Sequence, residues 1–237
     1  GLYGACSTMA ESLILGAILA DGGYASPVLC AAGSHFCTAE RQYRFPLEYG
    51  CQRTPSAQWT VTGAGGFILC HPSLSKGREL ARVTAALPGI VVDMGINDAG
   101  NMGAAMAPAA LATIKAHFED MNTSEADYDL IVTGDLGAVG KAALLELSRQ
   151  DGMLLDDKLA DCGNMVFDLE GQDVHSGGSG CGCSAITLCG YLLGKLKIGK
   201  LRRILFCGTG ALLSPTSTQQ GLSIPGVCHA ISIMGGQ

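Results

Sequence analysis

The feature that most constrains this chain is the alternation of short apolar runs with longer stretches of small, helix-forming residues. Residues 27–32, 129–133 and 203–207 are apolar but too short for stable helices, whereas 8–20, 102–122, 139–150 and 183–196 carry helix formers. Short buried strands separated by helices predict an α/β protein with a mainly parallel sheet. Residues 59–70 read as strand, with Gly63, Gly65 and Gly66 marking a bulge or a close backbone approach. Residues 79–94 read as one or two strands around Pro88 and Gly89, and 208–215 as a turn-rich loop. The polar segment 34–59 is expected to be a long functional loop. Thr8 and Glu11 fit a capping box at the start of the first helix. Small-residue loops at 4–7 and 177–184 each feed a buried helix, a faint sign of duplication.

Composition narrows the function classes. Charged residues make up 15% of the chain and the net charge is -6, with no basic run. Duplex nucleic acid is therefore excluded as a partner, because affinity for it rests on Lys and Arg against phosphate. So little charge implies a sizeable buried interface and hence a homo-oligomer. The apolar stretches are too short to span a bilayer, and the opening Gly-Leu-Tyr-Gly lacks the basic region of a secretory signal. The 11 cysteines, an odd and scattered set, read as buried thiols in a reducing compartment, with Cys30, Cys70, Cys189 and Cys207 inside apolar runs. Cys181 and Cys183 form a C-x-C without a second ligand pair at zinc-like spacing, so a core role is expected and no metal or cofactor.

The most informative stretch is Gly1 to Ser12. Cys6 stands where a tight turn becomes a helix, and the free N–H groups and positive dipole end there favour a thiolate. Gly4 and Ala5 leave room for a ligand. The alternative is an inert thiol packed under the helix, and local features favour neither.

Gly4-Ala5-Cys6-Ser7-Thr8 resembles the nucleophile elbow of the thiolase and ketoacyl-synthase superfamily. That stretch, together with Ser34-His35, Thr38-Ala39-Glu40-Arg41-Gln42, Met106-Ala107-Pro108-Ala109-Ala110, Thr133-Gly134-Asp135-Leu136, Gly177-Gly178-Ser179-Gly180-Cys181 and Thr209 to Thr216, resembles the stage V sporulation protein AD family in order along nearly the whole chain. The resemblance implies a thiolase-like α-β-α-β-α layered fold. Residues 1–78 would be the remainder of the N-terminal half and 79–237 the C-terminal half. The family carries roughly a hundred residues ahead of its cysteine motif, so the N-terminal half is expected to be incomplete. The resemblance also implies a role in spore formation, with uptake of dipicolinic acid into the developing spore. Other spore channel membrane proteins would be partners, the location would be the cytoplasmic face of the spore inner membrane, and a homodimer is implied.

Acyl transfer needs a base for the thiol and donors for an oxyanion. The loop that would supply a His or Asn in thiolase-fold enzymes reads Thr133-Gly134-Asp135-Leu136, and a carboxylate there opposes both needs. His175 is a candidate base, although a polar loop role is the more economical reading, and Cys207 reads as the end of a core strand. The pattern suggests a fold kept for its pocket, with an acyltransferase or thioesterase using Cys6 as the alternative. Dipicolinate, a flat ring with two carboxylates, requires planar cations and an apolar slot. Arg41 and Arg44 can pair with carboxylates or with Glu40 and Glu48, and His35 can donate. Asp135 can orient one of these, touch a calcium ion carried with the ligand, or cap the following helix.

Overall fold

A computed structural model of the chain describes residues 1–37, 53–75, 77 and 81–236. Its helices are α1 (Thr8–Asp21), α2 (Pro72–Ser75), α3 (Met102–Met121), α4 (Gly137–Gln150), α5 (Cys162–Val166), α6 (Cys181–Thr187), α7 (Leu193–Lys197) and α8 (Pro215–Gln219). The strands are β1 (Val28–Ser34), β2 (Trp59–Thr60), β3 (Gly63–Leu69), β4 (Ala81–Leu87), β5 (Val91–Val92), β6 (Leu130–Thr133), β7 (Leu159–Asp161), β8 (Gly178–Ser179), β9 (Arg203–Ala211) and β10 (Gly226–Gly235).

The principal sheet runs β4-β10-β9-β6-β7, with β5 on β10. It is mixed, which corrects the expectation of a mainly parallel sheet. β6 runs parallel to both β7 and β9, but β10 runs antiparallel to β4, β5 and β9. The 208–215 loop expectation is also overturned in part. β9 continues through Gly208 and Gly210 to Ala211, paired along its length with β10. Glycine is used there for space: a Cβ on Gly208 would lie 2.4 Å from the Cβ of Ala10, so the bare backbone lets α1 sit directly on the sheet.

Strand residues alternate between two cores. Ile131, Leu205, Cys207, Cys228 and Ala230 join α3 and α4 on one face. Val132, Ile204, Phe206, Ile231 and Ile233 join α1, α6 and α7 on the other. Beyond α1 and α6 lies a small antiparallel sheet of β1 and β3, whose Cys30 and Ala32 close the second core. The described residues thus stack as α, β, α, β, in keeping with the thiolase-like layering. Among the described residues nothing covers the outer face of the small sheet, where Leu29 is 72% and Ile68 73% exposed.

The capping box at Thr8 does not form. Ser7 is the N-cap and makes no side-chain cap bond, while Thr8 Oγ1 donates to the Ala5 carbonyl and accepts from the Gly4 amide. The hydroxyl is used to hold the preceding turn. Among the cysteines expected in the core, Cys30 and Cys207 are buried, Cys189 is half-buried and Cys70 is exposed, because it lies one residue past the end of β3.

Candidate functional site

Cys6 sits in a sharp turn immediately ahead of α1. Ala5 has φ 50°, a left-handed conformation that a residue with a Cβ adopts only under constraint. The constraint is local hydrogen bonding: the Ser7 amide and hydroxyl both donate to the Gly4 carbonyl, at 3.0 and 2.6 Å. The turn half-exposes the Cys6 thiol at the positive end of the α1 dipole. A pocket of about 600 Å³ opens over it, lined by Leu2, Tyr3, Leu29, Met102 and Leu213 among others. Its described lining is largely apolar.

The polar side of the site comes from the C-terminal half of the chain. Cys6 Sγ lies 3.7 Å from Ser179 Oγ. The Ser179 hydroxyl donates to Asp135 Oδ2 at 2.6 Å, and the same oxygen accepts the Gly180 amide at 3.0 Å. Asp135 Oδ1 accepts the Thr209 hydroxyl at 2.9 Å. Three chain segments therefore converge on one buried carboxylate: the β6–α4 loop, β8 and β9. Because the Ser179 proton is directed at Asp135, the hydroxyl oxygen is left as acceptor toward Cys6. In that arrangement the thiol proton is the donor in the Cys6–Ser179 contact.

A second acid braces the same loop. Asp161, the N-cap of α5, accepts from the Leu136, Gly137 and Asn164 amides and from the Thr133 hydroxyl. Burial pushes its carboxyl up to about 6, opposed by the Thr133 hydroxyl and assisted by the charge of Asp135.

The other expected site residues fall elsewhere. His35 follows the end of β1, two residues beyond the pocket-lining Gly33, and its Nδ1 accepts the Cys37 amide at 3.1 Å. His175, with φ 49°, lies 3.0 Å from Asp173, whose side chain is 80% exposed. Arg41 and Arg44 lie outside the described residues. Sequence reasoning quoted Ser179 and Thr209 only as parts of motifs and did not assign them to the site. It also passed over Arg53, whose guanidinium lies 3.9 Å over the Trp59 ring and donates to Asp173. Trp59 pairs with Gly178, so the aromatic member of this pair is carried on the strand next to Ser179.

The family model for stage V sporulation protein AD matches residues 1–234. The chain belongs to the stage V sporulation protein AD family. The curated family member from Bacillus subtilis (strain 168) is 44% identical over 230 residues, which is 97% of this chain and 66% of that protein. The chain thus spans somewhat less than two thirds of that relative's length. Among solved structures, 3-oxoacyl-[acyl-carrier-protein] synthase III from Aquifex aeolicus is similar at 13% identity and TM-score 0.57, over 98% of this chain and 66% of that one. A single-residue variant of Xanthomonas campestris OleA, with lauric acid and lauroyl-CoA bound, is similar at 12% identity and TM-score 0.61, over 98% of this chain and 65% of that one. At such identities these likenesses establish the thiolase-like fold alone. Against that fold, this member of the stage V sporulation protein AD family carries a cysteine whose polar neighbours include a serine and, behind it, a carboxylate.

Proposed function

We propose that the chain is a non-catalytic thiolase-fold protein of spore formation that binds dipicolinic acid over Cys6 and assists its uptake into the developing spore. The observation that carries the reading is the Cys6–Ser179–Asp135 chain. The carboxylate behind Ser179 disfavours both a thiolate at Cys6 and an oxyanion forming beside it, which argues against acyl transfer. The apolar pocket suits the ring of the ligand. Its carboxylates would fall to Arg41 and Arg44, which follow β1 in the sequence, with His35 just after the end of β1, and a calcium ion can accompany them. No helix among the described residues is long and apolar enough to cross a membrane. Work at the cytoplasmic face of the spore inner membrane would then go through channel proteins as partners, with the chain acting as a homodimer.

Titration calorimetry with dipicolinate, with and without calcium and beside an acyl-CoA control, tests this. Saturable dipicolinate binding without acylation of Cys6 is expected, and Arg44→Ala should weaken it by about tenfold or more through loss of a bidentate pair. The strained Ala5 and the dipole end at Cys6 favour a second reading, an acyltransferase or thioesterase. Covalent acylation of Cys6 by a folded sample that ignores dipicolinate would establish it.

A further inference from the structure

A half-buried carboxylate and a buried imidazole face each other beneath the Cys6 turn. Glu11, in the first turn of α1, packs against Gly4: a Cβ there would meet Glu11 Cδ and Oε1 at 2.5 Å. Gly4 is the residue whose carbonyl anchors the Cys6 turn. His229 lies on β10 opposite Gly208 of β9, the glycine on which α1 rests. Its Nδ1 accepts the Gly89 amide at 3.0 Å, which fixes the neutral tautomer with its proton on Nε2. Nε2 stands 3.8 Å from Glu11 Oε1, too far for a hydrogen bond. Both His229 Nε2 and Glu11 Oε2 are buried without a hydrogen-bond partner among the described residues.

Such a pair is unfinished in its neutral form, because each unpaired buried atom costs free energy. Protonation cannot simply complete it. The second proton must go to Nδ1, where the Gly89 N–H already points, and two donors cannot share that position. The imidazolium therefore has to give up Gly89, and it gains a charge-assisted bond to Glu11. Of the elements around the ring, α1 brings Glu11 as its charged group, while β9 brings Gly208 and the β4–β5 loop brings Gly89.

We propose that Glu11 and His229 form a proton-operated latch under the Cys6 turn. With His229 neutral, the loop at Gly89 is docked and Glu11 is seated against Gly4. With His229 protonated, Gly89 is released and Glu11 is drawn toward the imidazolium and off Gly4, loosening the turn that carries Cys6. The latch gives the proposed binding pocket a pH control and rests on that reading for its purpose, though not for its chemistry. Burial holds the His229 pKa below its usual 6.5, with Glu11 opposing, so the changeover belongs on the acid side of that value.

The test is the rate of Cys6 alkylation by iodoacetamide, read by peptide mass spectrometry, in the wild type and His229→Asn from about pH 8 to about pH 5.5. Asparagine can accept from Gly89 but takes up no proton. The ratio of wild-type to variant rate is expected to change by about fivefold or more across that interval, and Glu11→Gln should abolish the change. A flat ratio overturns the latch. Should the variants fail to fold, histidine nitrogen NMR on the wild type decides. An Nε2-protonated tautomer at about pH 8, with the Gly89 amide shifting as His229 titrates, supports the latch; an Nδ1-protonated one overturns it. Dipicolinate calorimetry on the same samples separates the two ideas. Absent binding with a pH-dependent ratio sinks only the ligand, and binding with a flat ratio sinks only the latch.

Discussion

Asp135 draws the Ser179 and Thr209 hydroxyls and the Gly180 amide onto one buried carboxylate, and its own amide donates to Thr209 Oγ1 at 3.0 Å. Removing that carboxylate strands several buried donors. Asp135→Ala is expected to lower stability by about 2–4 kcal/mol, measured by urea unfolding. Asp161 makes a pH prediction. Its folded value of about 6 lies above the ordinary 3.8, so between those values the unfolded chain has lost a proton that the folded chain keeps. This group's contribution is therefore fully present below pH 3.8 and is lost as pH rises toward about 6. Comparing the wild type with Asp161→Ala across that window should reveal the slope, superposed on the loss of the four hydrogen bonds that Asp161 accepts. Asp135 was visible in the sequence because it stands where a base was sought. Ser179 was not, because a serine in a glycine loop has no distinctive neighbours until β8 is aligned beside β2.

At the scale of elements, backbone approach decides the packing. Gly65 of β3 has the Ala185 carbonyl of α6 at 2.5 Å from where a Cβ would be. Gly65→Ala is expected to destabilise by about 1–3 kcal/mol, since the obstacle is backbone and cannot swing aside. Thermal unfolding checks it; an unchanged midpoint would mean that α6 moves away without cost. The sequence marked this glycine as a bulge or a close approach, and the second alternative holds. It marked α3 through Pro108 and α4 ending at Asp151 as well, because long periodic segments declare themselves. It did not mark β10, an interior strand of the sheet, whose His229 and Ser232 break the apolar run by which β9 is recognised.

For the molecule as a whole, the principal sheet belongs to both cores, so the two faces should unfold together. Leu144→Ala on one face and Leu188→Ala on the other are each expected to cost about 2–5 kcal/mol and to shift one common transition. Two separated transitions in calorimetry would show the faces to be independent. The small β1–β3 sheet is tied in through α1 and α6, and its outer face bears Leu29 and Ile68.

The sequence by itself determined the α/β class, the family, most helices and the position of Cys6 at a turn feeding α1. Those are local matters, carried by residue spacing, small residues and ordered motifs. Tertiary structure alone decided that the sheet is mixed, that Ser179 and Asp135 meet at Cys6, and that His229 stands under the turn beside Glu11. Each of these joins segments far apart in the chain, and no local propensity encodes which strand will lie beside which.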